Sequence, residues 1–205
     1  MQRSEERQLE LMRQSITRPE AELEAKSLLL SEIYSQVSQA YPSASGRAPN
    51  GGLLAELPPC VAEGACEDDM RFTYNAIRVL MSRYITKDLR GRMLETPSMV
   101  MRRVAQGFRG RTDPEALYRL LIEGRFMFNS PTLFNMYADG AKGALSACYV
   151  TPVRDDMRGI MDGVTVQVMT FKYGGGQGFS FSELRPRGDV VAGTSGVASG
   201  PVSFM

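Results

Sequence analysis

A strand–helix–strand pattern in the last third of the chain restricts the fold to an α/β structure. Residues 145–151 form a short β-prone run, which we predict as a buried strand. Asp155 and Asp156 can cap a helix that follows them. Residues 157–171 carry apolar side chains at helical spacing, namely Met157, Ile160, Met161, Val164, Val168 and Phe171. The glycine cluster Gly174–Gly178 ends this helix, and residues 179–182 alternate as a strand does. We therefore predict two parallel strands joined by a right-handed helical crossover.

The first part of the chain predicts helices instead. Residues 1–40 favour helix in two pieces, and a capping box at Thr17–Glu20 places Pro19 at a first helical position. Residues 41–52 are rich in proline, serine and glycine, which is typical of a linker. We therefore predict a helical extension with a linker over residues 1–66.

A second helical block follows the linker. Residues 68–85 have apolar side chains at helical spacing, and Thr96–Pro97 starts a further helix. The segment Thr112–Glu115 starts another, again with the spacing of a capping box. The methionine-rich faces of these helices are typical of a core. We predict a helical domain over residues 67–124 and an α/β portion over residues 125–205.

The charge pattern excludes several classes of function. The chain has 24 basic and 23 acidic residues, so it lacks the one-sided field that binding to nucleic acid or an anionic membrane requires. No run reaches the ~18 apolar residues of a membrane span. Residues 1–15 carry charges of both signs, unlike a secretory signal. We expect a cytoplasmic protein that binds neither nucleic acid nor membrane.

The absence of histidine limits the chemistry further, because it excludes histidine-based zinc sites and Cys–His or Ser–His pairs. With only three cysteines, a disulfide framework is not expected. Cys60 and Cys66 lie in a segment that predicts no regular structure, and their spacing is not that of a usual zinc pair. Cys148 lies in the first predicted strand, where it is either a small buried side chain or a reactive thiol.

Two further features are ambiguous when taken alone. The cluster Gly174–Gly178 does not satisfy the dinucleotide fingerprint, because Phe179 replaces the last glycine and the cluster ends a helix instead of opening one. It is either a helix cap with a tight turn or a place where backbone approaches a ligand closely. Arg185 and Arg187 flank Pro186 and are either solvated charges or contacts to a phosphate.

Taken in order, these segments resemble the large catalytic chain of ribonucleotide reductase, and in particular its adenosylcobalamin-dependent class II. The resemblance covers roughly residues 70–205 and is dense from residue 125 onward. The matching segments are Arg125–Thr132, Leu145–Val150 with Pro152, Asp155 and Asp156, Lys172–Phe179, Leu184–Asp189 and Gly193–Phe204.

The resemblance implies a fold and a mechanism. The fold is α/β, with an N-terminal helical domain followed by the first part of a ten-stranded α/β barrel. The mechanism begins with a thiyl radical that removes the 3′-hydrogen of a ribonucleotide, and adenosylcobalamin generates the radical. Cys148 matches the cysteine of the first barrel strand, which supplies reducing equivalents together with a second cysteine. A thioredoxin-like or other dithiol reductant then reduces the resulting disulfide.

The resemblance also assigns individual positions. The residues implied in holding the substrate are Ser130, Ser146, Ala147 and Gly176. Those implied in binding an allosteric deoxynucleoside triphosphate (dNTP) are Asp155 for the sugar, Arg185 for the phosphate and Val191 for the wall of the site. Ala192 replaces an arginine of many relatives, which leaves phosphate binding weakened or dependent on Arg187. The family's effector site lies at a dimer interface, which implies a homodimer.

The remaining catalytic residues of the family belong to a later part of its chain. The thiyl-forming cysteine, its neighbouring asparagine and glutamate, and the second reducing cysteine have no counterpart here. Gly200–Pro201 predicts the first turn of a helix only four residues before the last residue. We therefore expect an N-terminal piece of a reductase, inactive alone and completed by a complementary C-terminal chain. A split gene, an intein-interrupted precursor and a truncated remnant all fit this expectation.

Two other interpretations remain open at this point. The chain could be a fragment of a class I large chain, whose radical comes from a separate subunit. It could also be a non-catalytic module that binds dNTPs or mediates an interaction. The sequence does not distinguish a diphosphate from a triphosphate substrate.

Overall fold

A computed structural model describes residues 6, 7, 10, 19–41, 57–64, 66–138 and 143–204. The chain divides into two compact units, Met1–Ala141 and Lys142–Met205. The predicted linker over residues 41–52 lies almost entirely outside the described residues, as does Thr17 of the predicted capping box.

The first unit is helical. In chain order its helices are α1 (Pro19–Ala40), α2 (Pro59–Ala62), α3 (Glu67–Met70), α4 (Tyr74–Arg83), α5 (Pro97–Gln106), α6 (Pro114–Ile122) and α7 (Ser130–Asn135). Local chemistry fixes the start of α5, because the Thr96 side chain accepts a hydrogen bond from the Met99 amide and Pro97 occupies the first turn. The predicted start at Thr96–Pro97 is thus confirmed.

Two helix predictions need correction. The helix predicted over residues 68–85 is interrupted, because Thr73 caps α4 by accepting a hydrogen bond from the Ala76 amide and thereby separates α4 from α3. Asp113, not Thr112, caps α6, since its side chain accepts from the Glu115 amide. Both predictions were wrong because the residue that caps a helix depends on the path of the backbone before the helix. The sequence pattern alone does not give that path.

The core of the first unit lies between α1 and the later helices. Helix α1 buries one apolar face, and α5 is buried over almost its whole length, as predicted for its methionine-rich face. The largest fully buried apolar side chains are Leu30, Ile33, Val37, Val61, Ile77, Met99, Val100, Met101, Val104 and Leu121. Burial of such side chains stabilises a fold by roughly 1.5–3 kcal/mol each.

A buried ion pair joins two distant parts of this core. The Arg103 guanidinium donates to both carboxylate oxygens of Glu95, at 2.9 Å each, and both side chains are at most 5% exposed. Arg103 also donates to the carbonyls of Leu133 and Met136 at the end of α7. Glu95 in turn accepts from the amide and hydroxyl of Thr86. The pair is therefore satisfied on both sides, which a buried charge requires.

The second unit contains the predicted strand–helix–strand pattern. Strand β1 (Cys148–Pro152) leads through α8 (Met157–Lys172) to strand β2 (Gly176–Ser180), and the two strands pair in parallel with Cys148 opposite Gly176. Asp156 caps α8 through the Gly159 amide, as expected. The parallel arrangement is confirmed, and within the described residues these two strands form no closed barrel.

The boundaries of these elements differ from the prediction. Strand β2 begins at Gly176, inside the cluster that we predicted as the end of a helix, because only Gly174, with a φ of 79°, has the left-handed conformation of a helix terminus. A short antiparallel hairpin that we did not predict follows, with strands β3 (Val190–Val191) and β4 (Gly196–Val197). The segment Pro201–Phe204 is a single 3₁₀ turn.

The apolar face of α8 is solvent-exposed in this structure. Met157, Met161, Val164, Val168 and Phe171 are 46–67% exposed, whereas Gly163 is the buried residue of the helix. A Cβ at Gly163 would lie 3.6 Å from the Phe179 ring, so glycine sits where the helix approaches β2. No helix among the described residues is long and apolar enough to cross a membrane.

Candidate functional site

The start of the two parallel strands brings a thiol against a glycine. The Gly176 amide donates to the Ala147 carbonyl at 2.6 Å, which fixes the first residues of β1 and β2 side by side. A Cβ added at Gly176 would lie 3.6 Å from the Ala147 oxygen and 3.9 Å from the Cys148 sulfur. Glycine therefore leaves open the space beside the thiol, and a small molecule can approach the backbone there.

Cys148 is a free and exposed cysteine. The sequence left open whether it is a small buried side chain or a reactive thiol, and its exposure in this unit excludes burial in a packed core. An exposed thiol is able to exchange with an external disulfide. The strand around it has alternating exposed and half-buried residues, so the expected fully buried strand is wrong for the described unit.

The other two cysteines depart from the prediction. Cys60 and Cys66 form a disulfide, a local pair that the prediction of no disulfide framework did not anticipate. Cys60 lies in helix α2 and Cys66 precedes helix α3, so the segment is also more regular than predicted. Five intervening residues allow the chain to turn back on itself here, with Gly64 in a left-handed conformation at φ 73°.

Gln177 is a site-adjacent residue that the sequence reasoning missed. Its side-chain amide donates to the Thr151 hydroxyl at 2.6 Å, and its carbonyl oxygen accepts from the Thr170 hydroxyl at 3.2 Å. One side chain thus joins β2, β1 and α8. A prediction that β2 starts at Gly176 would have identified this role. Alternation along that strand places Gln177 on the face opposite Gly176 and Gly178.

The four residues predicted to hold substrate are divided between the two units. Ser146 and Ala147 immediately precede Cys148, and Gly176 lies beside it, so these three and the thiol form one cluster in the second unit. Ser130 belongs to the first unit. It is exposed at the start of α7, where its hydroxyl lies 2.7 Å from that of Tyr84.

A cavity of about 260 Å³ lies near the end of β1 opposite Cys148. Its lining includes Asp155, Arg185 and Val191, the three residues predicted to bind an effector, together with Gly200 and apolar side chains of α8. The structure therefore brings these three predicted positions to one cavity, within the second unit.

The two charged residues in this cavity are paired with each other. Arg185 Nε donates to Asp155 Oδ2 at 2.6 Å, and each side chain is 33% exposed. Arg185 also donates to the carbonyl of Val190 at 3.2 Å, which ties the arginine to β3. An incoming sugar or phosphate would therefore share or replace this ion pair rather than meet two unpaired charges.

Arg187 supplies a second cation near the same cavity. It is exposed and has no ion pair among the residues that the structure describes. Gly200, which lines the cavity, approaches so closely that its Cβ position lies 3.0 Å from the Arg187 amide nitrogen. Ala192 is exposed in the turn between β3 and β4 and carries no charge. Neither Arg187 nor Ala192 is among the residues that line the cavity.

Comparison with known proteins agrees with the fold. Residues 70–141 match the ribonucleotide reductase all-alpha domain, and residues 146–205 match the ribonucleotide reductase barrel domain. The chain therefore belongs to the family of ribonucleotide reductase large chains.

Individual relatives give the same assignment. A vitamin B12-dependent ribonucleoside-diphosphate reductase of Thermoplasma acidophilum is 34% identical over 68% of this chain and 26% of its own length. One of the same name from Mycobacterium tuberculosis (strain H37Rv) is 36% identical over 74% of this chain and 22% of its own length. The alpha subunit of a Chlamydia muridarum ribonucleoside-diphosphate reductase is 33% identical over 67% and 13%. The chain spans about a quarter or less of these relatives.

Proposed function

We propose that this chain supplies the helical domain and the first part of the barrel of a reductase that converts ribonucleotides to deoxyribonucleotides. The observation that carries the proposal is the exposed thiol of Cys148 beside Gly176, at the start of two parallel strands. These strands lie in the portion matched by the family's barrel domain. The cluster therefore places a reducing thiol next to a stretch of backbone that a small molecule can approach closely.

Cys148 acts in this proposal as one of two reducing thiols. Loss of the ribose 2′-hydroxyl as water consumes two electrons and two protons, which two thiols supply as they become a disulfide. Cys148 provides one thiol, and the second comes from the later part of the family's barrel. A thioredoxin-like or other dithiol reductant then restores both thiols. Free thiols persist in a reducing compartment, so we place the activity in the cytoplasm.

The neighbouring residues bind and orient the nucleotide. Ser146 and Ala147 present a hydroxyl and backbone groups immediately before the thiol, and Gly176 allows the ribose to lie against the strand. Ser130, in the first unit, is the fourth residue that the resemblance assigns to substrate binding. Gln177 holds β2 in its position relative to β1, which keeps Gly176 opposite Cys148.

Adenosylcobalamin is the proposed source of the radical, in line with the names of the relatives from Thermoplasma and Mycobacterium. Two cavities lined by described residues of the second unit, of about 260 and 250 Å³, are smaller than the ~300–1,000 Å³ of ordinary ligand pockets. Neither fits a corrin, so no residue of this chain is assigned to the cofactor. A class I reductase, with its radical from another subunit, is the alternative, represented by relatives such as that of Chlamydia muridarum.

The cavity at Asp155, Arg185 and Val191 is the proposed site for a dNTP effector. Asp155 accepts a hydrogen bond from the sugar, Arg185 contacts phosphate and Val191 forms part of the wall. Because Arg185 is already paired with Asp155, we propose that Arg187 provides additional charge for the triphosphate. At about 260 Å³ the cavity holds only part of such a ligand, and a second copy of the chain in a homodimer completes it.

The proposal is tested by ribonucleotide reduction in a reconstituted enzyme. The chain is combined with the remaining barrel residues of the Thermoplasma relative, adenosylcobalamin and a dithiol. We expect deoxynucleotide formation that Cys148→Ser abolishes. The matched control Val150→Thr, an exposed position two residues along the same strand, retains activity. Activity that survives Cys148→Ser would contradict the proposal, and dNTP binding without any turnover would instead support a non-catalytic binding module.

A further inference from the structure

The disulfide between Cys60 and Cys66 lies in the helical unit and has no place in the proposed reductase chemistry. It closes a loop of only a few residues, and such a short loop stabilises a fold less through chain entropy than a long one does. Its opening would therefore change the local structure around residues 60–66 and leave the rest of the helical core folded.

Cys60 is more accessible to solvent than Cys66. Cys60 is partly exposed on α2, and residues 62–64 beside it are exposed. Cys66 is 2% exposed and packs against the core. An external thiolate therefore reaches the Cys60 side of the bond first. Accessible disulfides of this kind are the labile ones in a reducing compartment.

The buried end of the disulfide is connected to a polar cluster in the core. The Cys66 amide donates to the Tyr34 hydroxyl at 3.4 Å, and that hydroxyl donates to Asp69 Oδ2 at 3.1 Å. The Cys66 carbonyl accepts from the Asp69 amide in the first turn of α3. Cys66 thus positions Asp69 both through Tyr34 and through the helix itself.

Asp69 in turn holds the start of α5. Its Oδ1 accepts from the Ser98 amide at 2.6 Å, and Asp69 is 0% exposed. Burial raises the pKa of this carboxyl, and the hydrogen bond from the Ser98 amide opposes that shift. The connection therefore runs from the partly exposed Cys60, through Cys66 and Asp69, to the first turn of the largely buried helix α5.

There is also space for Cys66 to move. A cavity of about 400 Å³ lies beside it and is lined by Tyr34, Gly64 and Met70 among others. Once the bond to Cys60 is broken, the Cys66 side chain and its backbone are free to shift into this space. Such a shift would weaken the contacts that hold Asp69 against Ser98.

We propose that the Cys60–Cys66 pair is a second redox-active site of this chain, which a dithiol reductant opens and which controls how firmly the start of α5 is held. A thiolate of the reductant attacks the Cys60 sulfur, the S–S bond breaks, and Cys66 leaves as a thiolate that takes up a proton. The second thiol of the reductant then displaces Cys60 as a thiol. Two electrons pass to the cysteine pair, and the reductant becomes a disulfide.

The first experiment counts accessible thiols on the folded full-length chain by alkylation and mass spectrometry. We expect one alkylated cysteine, Cys148, before treatment with dithiothreitol and three afterwards, without denaturant. Three alkylated cysteines before treatment would show that no disulfide forms. One after treatment would show that the bond is inert in the folded protein. Either result overturns the proposal.

The second experiment measures amide hydrogen exchange by NMR in both redox states. We expect the Ser98 amide to exchange about tenfold faster after reduction, because its partner Asp69 is held less firmly. The Gly159 amide, which Asp156 caps in the second unit, serves as an internal control and does not change. An equal Ser98 exchange rate in both states would contradict the coupling.

Variants separate the effect of the bond from that of the reductant. Cys60→Ser, and Cys60→Ser combined with Cys66→Ser, are expected to show the faster Ser98 exchange without dithiol and no further response to it. Exchange at the oxidised wild-type rate in both variants would overturn the proposal. These measurements do not require reductase activity, so their outcome is independent of the proposed function.

Discussion

Gly200 combines a left-handed backbone conformation with close packing against another segment of the second unit. Its φ is 84°, in the region that favours glycine, and its Cβ position lies 3.0–3.3 Å from three atoms of Arg187. Both conditions favour glycine, because the left-handed conformation disfavours a side chain and the close approach leaves little room for one. Gly200 also lines the cavity at Asp155 and Arg185. The residue therefore links local backbone geometry to the proposed effector site.

A methyl group at this position tests that link. We expect Gly200→Ala to destabilise the β3–β4 region by about 1–3 kcal/mol through strain and crowding. The measurement is hydrogen exchange at the amides of Gly188 and Ala198, which bond across this region. Gly193→Ala is the matched control, since its Cβ position has nothing within 4 Å, and should change the stability by less than about 1 kcal/mol. Equal effects of the two substitutions would contradict the account.

Arg185 is the residue on which effector binding depends most in our proposal. We expect Arg185→Lys to weaken dNTP binding about tenfold, or ~1.4 kcal/mol, because lysine cannot contact carboxylate and phosphate with a planar fork. The melting temperature should change little, since a partly exposed ion pair contributes ~0–1 kcal/mol. Titration calorimetry on the reconstituted enzyme measures the affinity. Arg158→Lys, exposed on α8, is the control. An unchanged affinity in Arg185→Lys would remove this residue from the site.

Among the elements, α5 and α7 depend on the ion pair between Glu95 and Arg103. Glu95→Gln leaves the guanidinium of Arg103 buried without a countercharge, and we expect a loss of about 3–5 kcal/mol in the free energy of unfolding. Urea denaturation followed by circular dichroism measures it. The control Glu115→Gln breaks the exposed pair with Arg102 and should cost less than about 1 kcal/mol. Similar losses in both variants would show that burial does not decide the strength of this pair.

The elements also show what can be predicted from a sequence of this kind. The parallel strands, the helix between them and the caps at Thr96 and Asp156 follow from periodicity and capping chemistry. The start of β2 could not be predicted in the same way, because a run of glycines fits both a helix end and an open strand. The hairpin of β3 and β4 has only two residues in each strand, too few for a recognisable alternation.

The candidate site was predictable in part for similar reasons. Cys148 and Gly176 stand out as individual residue types, and the resemblance to a family gave them roles. The Arg185–Asp155 pair and the hydrogen bonds of Gln177 depend on contacts between segments distant in sequence. The Cys60–Cys66 bond was missed because a count of three cysteines argues against a disulfide framework but not against one local pair.

For the whole molecule, the exposed apolar face of α8 predicts association. A contiguous apolar surface of this kind is typical of an interaction site, and the proposed homodimer supplies a second copy as its partner. We expect sedimentation velocity to show concentration-dependent association of the chain, and Met161→Lys with Val168→Lys to abolish it. Leu89→Lys, at an exposed position of the first unit, is the control. A parent chain that stays monomeric, or lysine variants that associate as the parent does, would contradict this prediction.

The most direct test of the central claim follows the oxidation state of Cys148 through one turnover. The reconstituted enzyme is fully reduced, freed of dithiol, mixed with adenosylcobalamin and one equivalent of ribonucleotide, then quenched by alkylation for mass spectrometry. We predict that Cys148 is recovered in a disulfide with a cysteine of the later barrel, in an amount equal to the deoxynucleotide formed. Recovery of Cys148 as an alkylated thiol while deoxynucleotide accumulates would contradict the claim that it is the reducing group.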